Sequence, residues 1–252
     1  MALLLVGWLL AQVFALPSRA ATLSEIQARG RLIVAVKDNL PPLGFLRDGE
    51  LAGLEIDLAR QLVIDLLGNA TEVTFVPVRN DRRLATLLES EVDLVIARMT
   101  ATPARARLVD FSLPYYFDGT AFVTKDPTID RLGNLLRQPV AVLNGSSTIA
   151  TVRSLLPSAV LVGASSYQEA LTLLESNRAI AFAADASVLT GWVQEFPSYR
   201  LISQLISAEA LSVAMPKGNR YSDLRERVNG SIDRLRETGW LGDRLRMWGL
   251  PE

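Results

Sequence analysis

Cysteine and histidine are both absent from the 252 residues. The chain therefore forms no disulfide, no thiolate or imidazole metal site, and no catalytic triad or zincin built on those side chains. Any chemistry falls to carboxylates, lysine, arginine, hydroxyls and backbone groups, and no cofactor or metal is expected. Net charge is almost absent as well: 26 Lys+Arg stand against 27 Asp+Glu. With no dense basic cluster, the electrostatic footprint of a nucleic-acid binder is missing. The four Trp residues do not alternate with basic residues and read as packing residues. Neither a P-loop nor a dinucleotide-type glycine loop occurs, and there are no internal repeats, low-complexity tracts or long Gly/Ser linkers. What is present, 49% hydrophobic and 21% charged residues, suffices for the core of one large domain or of two ordinary lobes.

Long uncharged apolar sequence is confined to the first 20 residues. Residues 1–17 carry no charged side chain, and Pro17-Ser18-Arg19-Ala20 places small residues at −3 and −1 of a cleavage after Ala20. Residues 1–20 thus read as a secretory signal peptide, without Lys or Arg before its apolar run. The absence of cysteine near the cleavage argues against a lipoprotein anchor. The expected product is a soluble, exported, periplasmic protein.

From residue 31 onward, short β-rich apolar runs alternate with helical patterns, which indicates an α/β fold with largely parallel sheets. Strands are expected at 32–37, 73–78, 92–97, 121–125, 140–143, 159–162, 179–184 and 211–215. Helices are expected at 55–67, 81–89, 103–108, 148–155, 167–176 and 187–194, with one or two more over 221–248. The turn-rich stretch 114–120 divides two similar runs and favours two lobes. Loops at the carboxyl ends of strands, 38–43, 98–102 and 144–148, are where a ligand would sit.

Four constellations could carry binding. In Arg98-Met-Thr-Ala-Thr-Pro-Ala-Arg105, Thr102 is a good N-cap and Pro103 fits the first helical position, which places Arg105 in a first turn. A cation beside free backbone N–H groups suits a carboxylate, although pairing with Asp110 on the surface would explain Arg105 equally. Asn144-Gly-Ser-Ser-Thr148 follows a strand and opens a helix, either as an anion cradle or as simple capping. Asp185 ends an apolar strand, either as an N-cap or as a carboxylate for a cationic group. Lys37 closes the first strand, either solvated or turned to a ligand. Asp57, Asp93 and Asp110 read as caps or turn formers.

The runs GLEIDLARQL (53–62), VDLVIARMTATPARARLVDFSLPYY (92–116), VAVLNGSST (140–148) and LLESNRAIAFAAD (173–185) resemble, in order and spacing, the family 3 extracellular solute-binding proteins, the polar amino-acid receptors of ABC importers. The likeness runs from about Leu32 to Trp248. It implies an α/β, two-lobed type II periplasmic-binding fold with two mixed sheets flanked by helices and joined by a two-strand hinge. Lobe 1 would comprise residues 21–118 and 214–252, and lobe 2 residues 119–213. By the same resemblance, Arg105 with Thr100 and the backbone around Arg98 would hold an α-carboxylate, Ser147 and Thr148 would reach it from lobe 2, and Asp185 would take the α-ammonium. The partners implied are an amino-acid ligand and a membrane ABC permease, with the receptor a monomer.

Three departures bear on specificity. Leu40 and Leu54 stand where the family often has aromatic walls, and Arg98 stands where many members have a small residue. The segments 79–88 and 173–185 look like the glutamate/aspartate branch, in which the basic residue at the position of Lys37 faces the side-chain carboxylate. With Lys37, Arg98 and Arg105 facing Asp185 alone, the cleft would carry a balance of +2 and favour an acidic amino acid. The alternatives are a neutral polar ligand such as glutamine, a cyclohexadienyl dehydratase-like enzyme, for which a spare cleft carboxylate would be required, and a sensory module.

Overall fold

Apolar runs rich in Val, Ile and Leu become buried strands, and the intervening helices each lay one apolar face on a sheet. The computed structural model describes residues 20–68, 72–202 and 205–251. All of the expected signal peptide except Ala20 lies outside the described residues.

The chain opens with α1 (Leu23–Arg29), β1 (Arg31–Val36), β2 (Asn39–Leu40), β3 (Gly44–Arg47), β4 (Glu50–Ala52), α2 (Leu54–Leu67), β5 (Glu72–Pro77), α3 (Arg83–Leu88), β6 (Leu94–Ile96) and β7 (Asp110–Asp118). It continues with β8 (Thr120–Thr124), β9 (Pro139–Leu143), α4 (Thr148–Leu155), β10 (Val160–Ala164), α5 (Tyr167–Glu175), β11 (Ala181–Asp185), α6 (Ala186–Glu195), β12 (Arg200–Ile202), β13 (Glu209–Met215), α7 (Ser222–Glu237) and α8 (Trp240–Trp248). One sheet has the order β5-β1-β6-β13-β7 and the other β10-β9-β11-β8-β12, each a parallel trio extended by antiparallel strands. The small meander β2-β3-β4 flanks the first sheet.

Each sheet has its own core. In lobe 1, Leu32, Val34 and Val36 of β1 pack with Leu58 and Leu62 of α2 and with Val228 and Ile232 of α7. In lobe 2, Phe182 lies on one face with Leu189 and Trp192, while Phe122 lies on the other with Leu135, Val140 and Val152. Two crossing segments join the lobes. Asp118-Gly119-Thr120 links β7 to β8, and the return segment runs beside it: the Thr120 N–H donates to Ser207 Oγ at 2.8 Å, and the Ile206 N–H donates to the Thr120 carbonyl at 2.9 Å. A Cβ at Gly119 would lie 2.0 Å from the Ser207 carbonyl oxygen, so only glycine lets the two segments approach this closely.

The structure adds α1 ahead of the first expected strand and departs from the sequence reading in four further places. The 103–108 helix is only a 3₁₀ turn over Arg105–Arg107; its residues are largely exposed and offer no apolar face for packing to stabilise. The stretch read as turn-rich belongs largely to β7, where Pro114 is tolerated because β7 is an edge strand. The strands of the meander and β12 are unexpected additions, too short for their residues to show a period of two. Finally, β13 pairs with β7 from Glu209 onward, so the expected division between residues 213 and 214 falls inside a strand of the first sheet.

Helix α6 of lobe 2 rests on lobe 1. Gln194 Nε2 donates to the Trp248 carbonyl at 2.9 Å, and Gly191 faces the Pro41 carbonyl. A Cβ at Gly191 would sit 2.5 Å from that oxygen, and both sides are backbone, so the lobes must separate to admit it. Gly191→Ala is expected to keep the wild-type circular dichroism spectrum but to show a larger radius of gyration by small-angle scattering. An unchanged radius would mean that α6 does not rest on Pro41 in solution.

Candidate functional site

Lobe 1 presents a row of cations at the carboxyl ends of its strands. Lys37 follows β1, is only 5% exposed, and donates from Nζ to the Val78 carbonyl at 2.8 Å. Burial, then the charge of Arg83, lowers its pKa. Arg83 spans the next strand end, donating to the carbonyls of Ala97 at 2.8 Å and Arg98 at 2.6 Å. Burial, followed by Arg105 and Arg98, presses its pKa down in turn. Arg105 donates from Nη1 to the Thr100 carbonyl at 2.9 Å, and its own N–H is capped by Thr102 Oγ at 3.3 Å. Among the described residues, none of these three cations has a carboxylate partner within ion-pair distance. Asp110 pairs with Arg225, not with Arg105.

Arg98 behaves differently. Its Nε donates to Asp118 Oδ2 at 3.1 Å, and its Nη2 meets Asp185 Oδ2 at 2.5 Å, so one guanidinium ties the hinge to lobe 2. Asp118 is fully buried, and its carboxylate also accepts from the N–H groups of Gly119 (2.9 Å) and Ser187 (3.0 Å) and from Ser187 Oγ (2.6 Å). The Arg98 backbone has φ +48, a left-handed conformation that costs a residue with a Cβ on the order of 1 kcal/mol. Its N–H is held by Glu55 Oε1 at 2.6 Å, and Tyr115 Oη donates to the same oxygen at 2.6 Å. Glu55 is fully buried, and burial raises its carboxyl pKa despite both hydrogen bonds.

Asp185 stands at the N-cap position of α6 but makes no capping bond. Its Oδ2 is taken by Arg98, while its Oδ1 has no protein partner among the described residues. Burial pushes its pKa up to about 6, against the pull of Arg98 and with reinforcement from Asp118 and Glu209. At the start of α4, Ser147 is exposed, Thr148 is buried, and the preceding Ser146 Oγ is buried without a partner. Between the lobes a cavity of about 240 Å³ is lined by Leu40 and Pro41 on one side and by Tyr167, Leu171, Val188 and Trp192 on the other.

The expected cluster of Lys37, Arg98 and Arg105 is therefore joined by Arg83, but the charge balance needs correction. Asp185 is not the only acid: Asp118 and Glu55 lie in the same network, and Arg98 is shared between two aspartates. Spare carboxylates thus exist, yet both are fully buried and hydrogen-bonded inside the protein. The signal for Glu55 was its spacing, since it shares a helix face with Leu58, Ala59 and Leu62, all buried. For Asp118 it was a charge in the apolar run 115–123. Asp57 and Asp93 do serve structure, as ties to Trp248 Nε1 and to the Ile33 N–H.

Comparison with known proteins agrees with this architecture. The chain is 28% identical over 235 residues to the ABC transporter glutamine-binding protein GlnH of Bacillus subtilis (strain 168), covering 92% of this chain and 85% of that one. It is 30% identical over 200 residues to the glutamine-binding protein of Geobacillus stearothermophilus, covering 78% and 76%. Among solved structures, the ancestral cationic amino acid solute-binding protein AncCDT-1, elsewhere described as a precursor of cyclohexadienyl dehydratase, superposes with a TM-score of 0.77 at 28% identity, covering 90% of this chain and 99% of that one. The fold is thus the two-lobed α/β architecture of the type II periplasmic amino-acid-binding proteins. Residues 32–251 match the bacterial extracellular solute-binding proteins of family 3, and the chain belongs to that family.

Proposed function

We propose that this protein is the periplasmic receptor of an ABC importer for an amino acid that carries a second carboxylate, glutamate or aspartate. The observation that carries the reading is the row formed by Lys37, Arg83 and Arg105, three lobe 1 cations hydrogen-bonded only to backbone carbonyls. Unpaired charge at a partly buried site is costly, and an anionic ligand supplies the missing counterions. In this reading Arg105 and Thr100 take the α-carboxylate, with Ser147 and Thr148 joining from lobe 2. Asp185 takes the α-ammonium on its free Oδ1, and Lys37 with Arg83 receives the side-chain carboxylate. Arg98 holds Asp185 in place from its Oδ2 side. The burial of Glu55 and Asp118 supports a receptor over an enzyme, because neither carboxylate is presented to a ligand.

A second reading is glutamine. It is favoured by the engagement of Arg98 with two aspartates, which removes one of the cations an acidic ligand would use. Competition among glutamate, aspartate, glutamine and asparagine separates the two: the acids are expected to bind at least about tenfold tighter, equivalent to about 1.4 kcal/mol. Lys37→Met should erase that margin. Preference for the amides would overturn the acidic reading.

Arg105→Ala leaves a ligand carboxylate desolvated and unpaired, so binding should fall by at least about 30-fold, or about 2 kcal/mol, with the fold intact. Calorimetry showing wild-type affinity would refute the assignment. Dependence on pH follows from Asp185. Only its charged form holds an ammonium, so glutamate affinity should be full above about pH 7 and fall as pH drops through 6, by about tenfold per unit below it.

A further inference from the structure

Asp185 already has a cation. Arg98 Nη2 lies 2.5 Å from Asp185 Oδ2, so the protein itself supplies a counter-charge to this carboxylate. The arginine is held at two further points, its N–H by Glu55 and its Nε by Asp118, and Asp118 is held in turn by Ser187 and Gly119. Its left-handed backbone persists because these contacts over-determine it. Arg98 Nη1 makes no hydrogen bond to protein among the described residues, and its side chain is 20% exposed. A donor, Arg98 Nη1, and an acceptor, Asp185 Oδ1, are therefore left open on the two partners of this ion pair.

We propose that the cleft also accepts dicarboxylates bearing oxygen in place of nitrogen at the α-carbon, 2-oxo and 2-hydroxy dicarboxylic acids, with Arg98 standing in for the missing ammonium. The inference rests on the assignment of the α-position to Asp185 made above. An α-oxo oxygen only accepts hydrogen bonds and meets the free Arg98 N–H groups. An α-hydroxyl accepts from Arg98 and donates to Asp185 Oδ1. Where an aspartate depends on the ligand for its counter-charge, loss of the ammonium leaves it buried and unpaired, a large penalty. Here the ion pair with Arg98 remains. The two ligand carboxylates face Arg105, Lys37 and Arg83, as they do for an acidic amino acid.

The test is titration calorimetry of the purified protein with L-glutamate, 2-oxoglutarate and 2-hydroxyglutarate. At pH 7.5, 2-oxoglutarate is expected to bind within about tenfold of glutamate. In the paired variant Arg98→Gly with Asp118→Ser, which removes the guanidinium without stranding Asp118, the ratio should move against the oxo acid by at least about 100-fold. A wild-type measurement needs no variant to fold. Asp185 is faced by Arg98, Asp118, Glu209 and Tyr167, and its protonation removes the hold on an ammonium but takes nothing from an oxo acid. Between pH 7.5 and 5.5, glutamate should weaken while 2-oxoglutarate does not. If wild type binds glutamate but not millimolar 2-oxoglutarate, if both weaken together with falling pH, or if the ratio is unchanged in the paired variant, the inference is overturned and the amino-acid reading stands. If wild type binds none of the three acids, the acidic-ligand reading on which the inference rests fails instead.

Discussion

The carboxylate of Asp118 is the point on which the cleft is organised. It sits where β7 crosses into β8, fully out of water, and gathers donors from three places: its own neighbour Gly119, the first turn of α6, and Arg98. A buried charge is tolerable only when paired and hydrogen-bonded, and here every donor also positions something else. Ser187 fixes the start of α6 and so the place of Asp185. Arg98 fixes the loop after β6 and reaches the same Asp185. Removal of Asp118 would leave a guanidinium in a left-handed loop with one partner instead of two.

The rest of the site is electropositive because its cations are satisfied by backbone carbonyls. Carbonyl oxygens meet the hydrogen-bonding needs of Lys37, Arg83 and Arg105 without cancelling their charge. The positive field stays available to an anion, and the side chains are oriented before it arrives. Crowding of like charge shows in the depressed pKa values of Lys37 and Arg83, each pressed by burial first and by its neighbours next.

Some of this was legible in the residues. The motif 53–62 marks a helix, the run 92–116 marks a strand followed by a cation-bearing loop, and Asp185 marks the end of a strand, because apolar periodicity is set by the helix and strand repeats themselves. Lys37, Arg98 and Asp185 were visible as charges at strand ends, and Arg105 as a charge in the first turn of an expected helix. The meander 39–52 was not, since its strands are too short to show a period, and the helix at 103–108 was overestimated, since capping residues alone do not supply an apolar face.

By itself the sequence determined the class of fold, the two successive α/β runs, the exclusion of thiol and imidazole chemistry, and the short list of ionisable residues from which a site could be made. Tertiary structure alone decided how those charges are spent. Arg98 is paired with Asp118 and Asp185, Arg83 enters the cation row, and Glu55 is sealed behind Tyr115. The physical reason is that hydrophobic patterning repeats within a single element, whereas an ion pair depends on where two elements distant in the chain bring their ends, and a formal charge count cannot show which carboxylate reaches which cation.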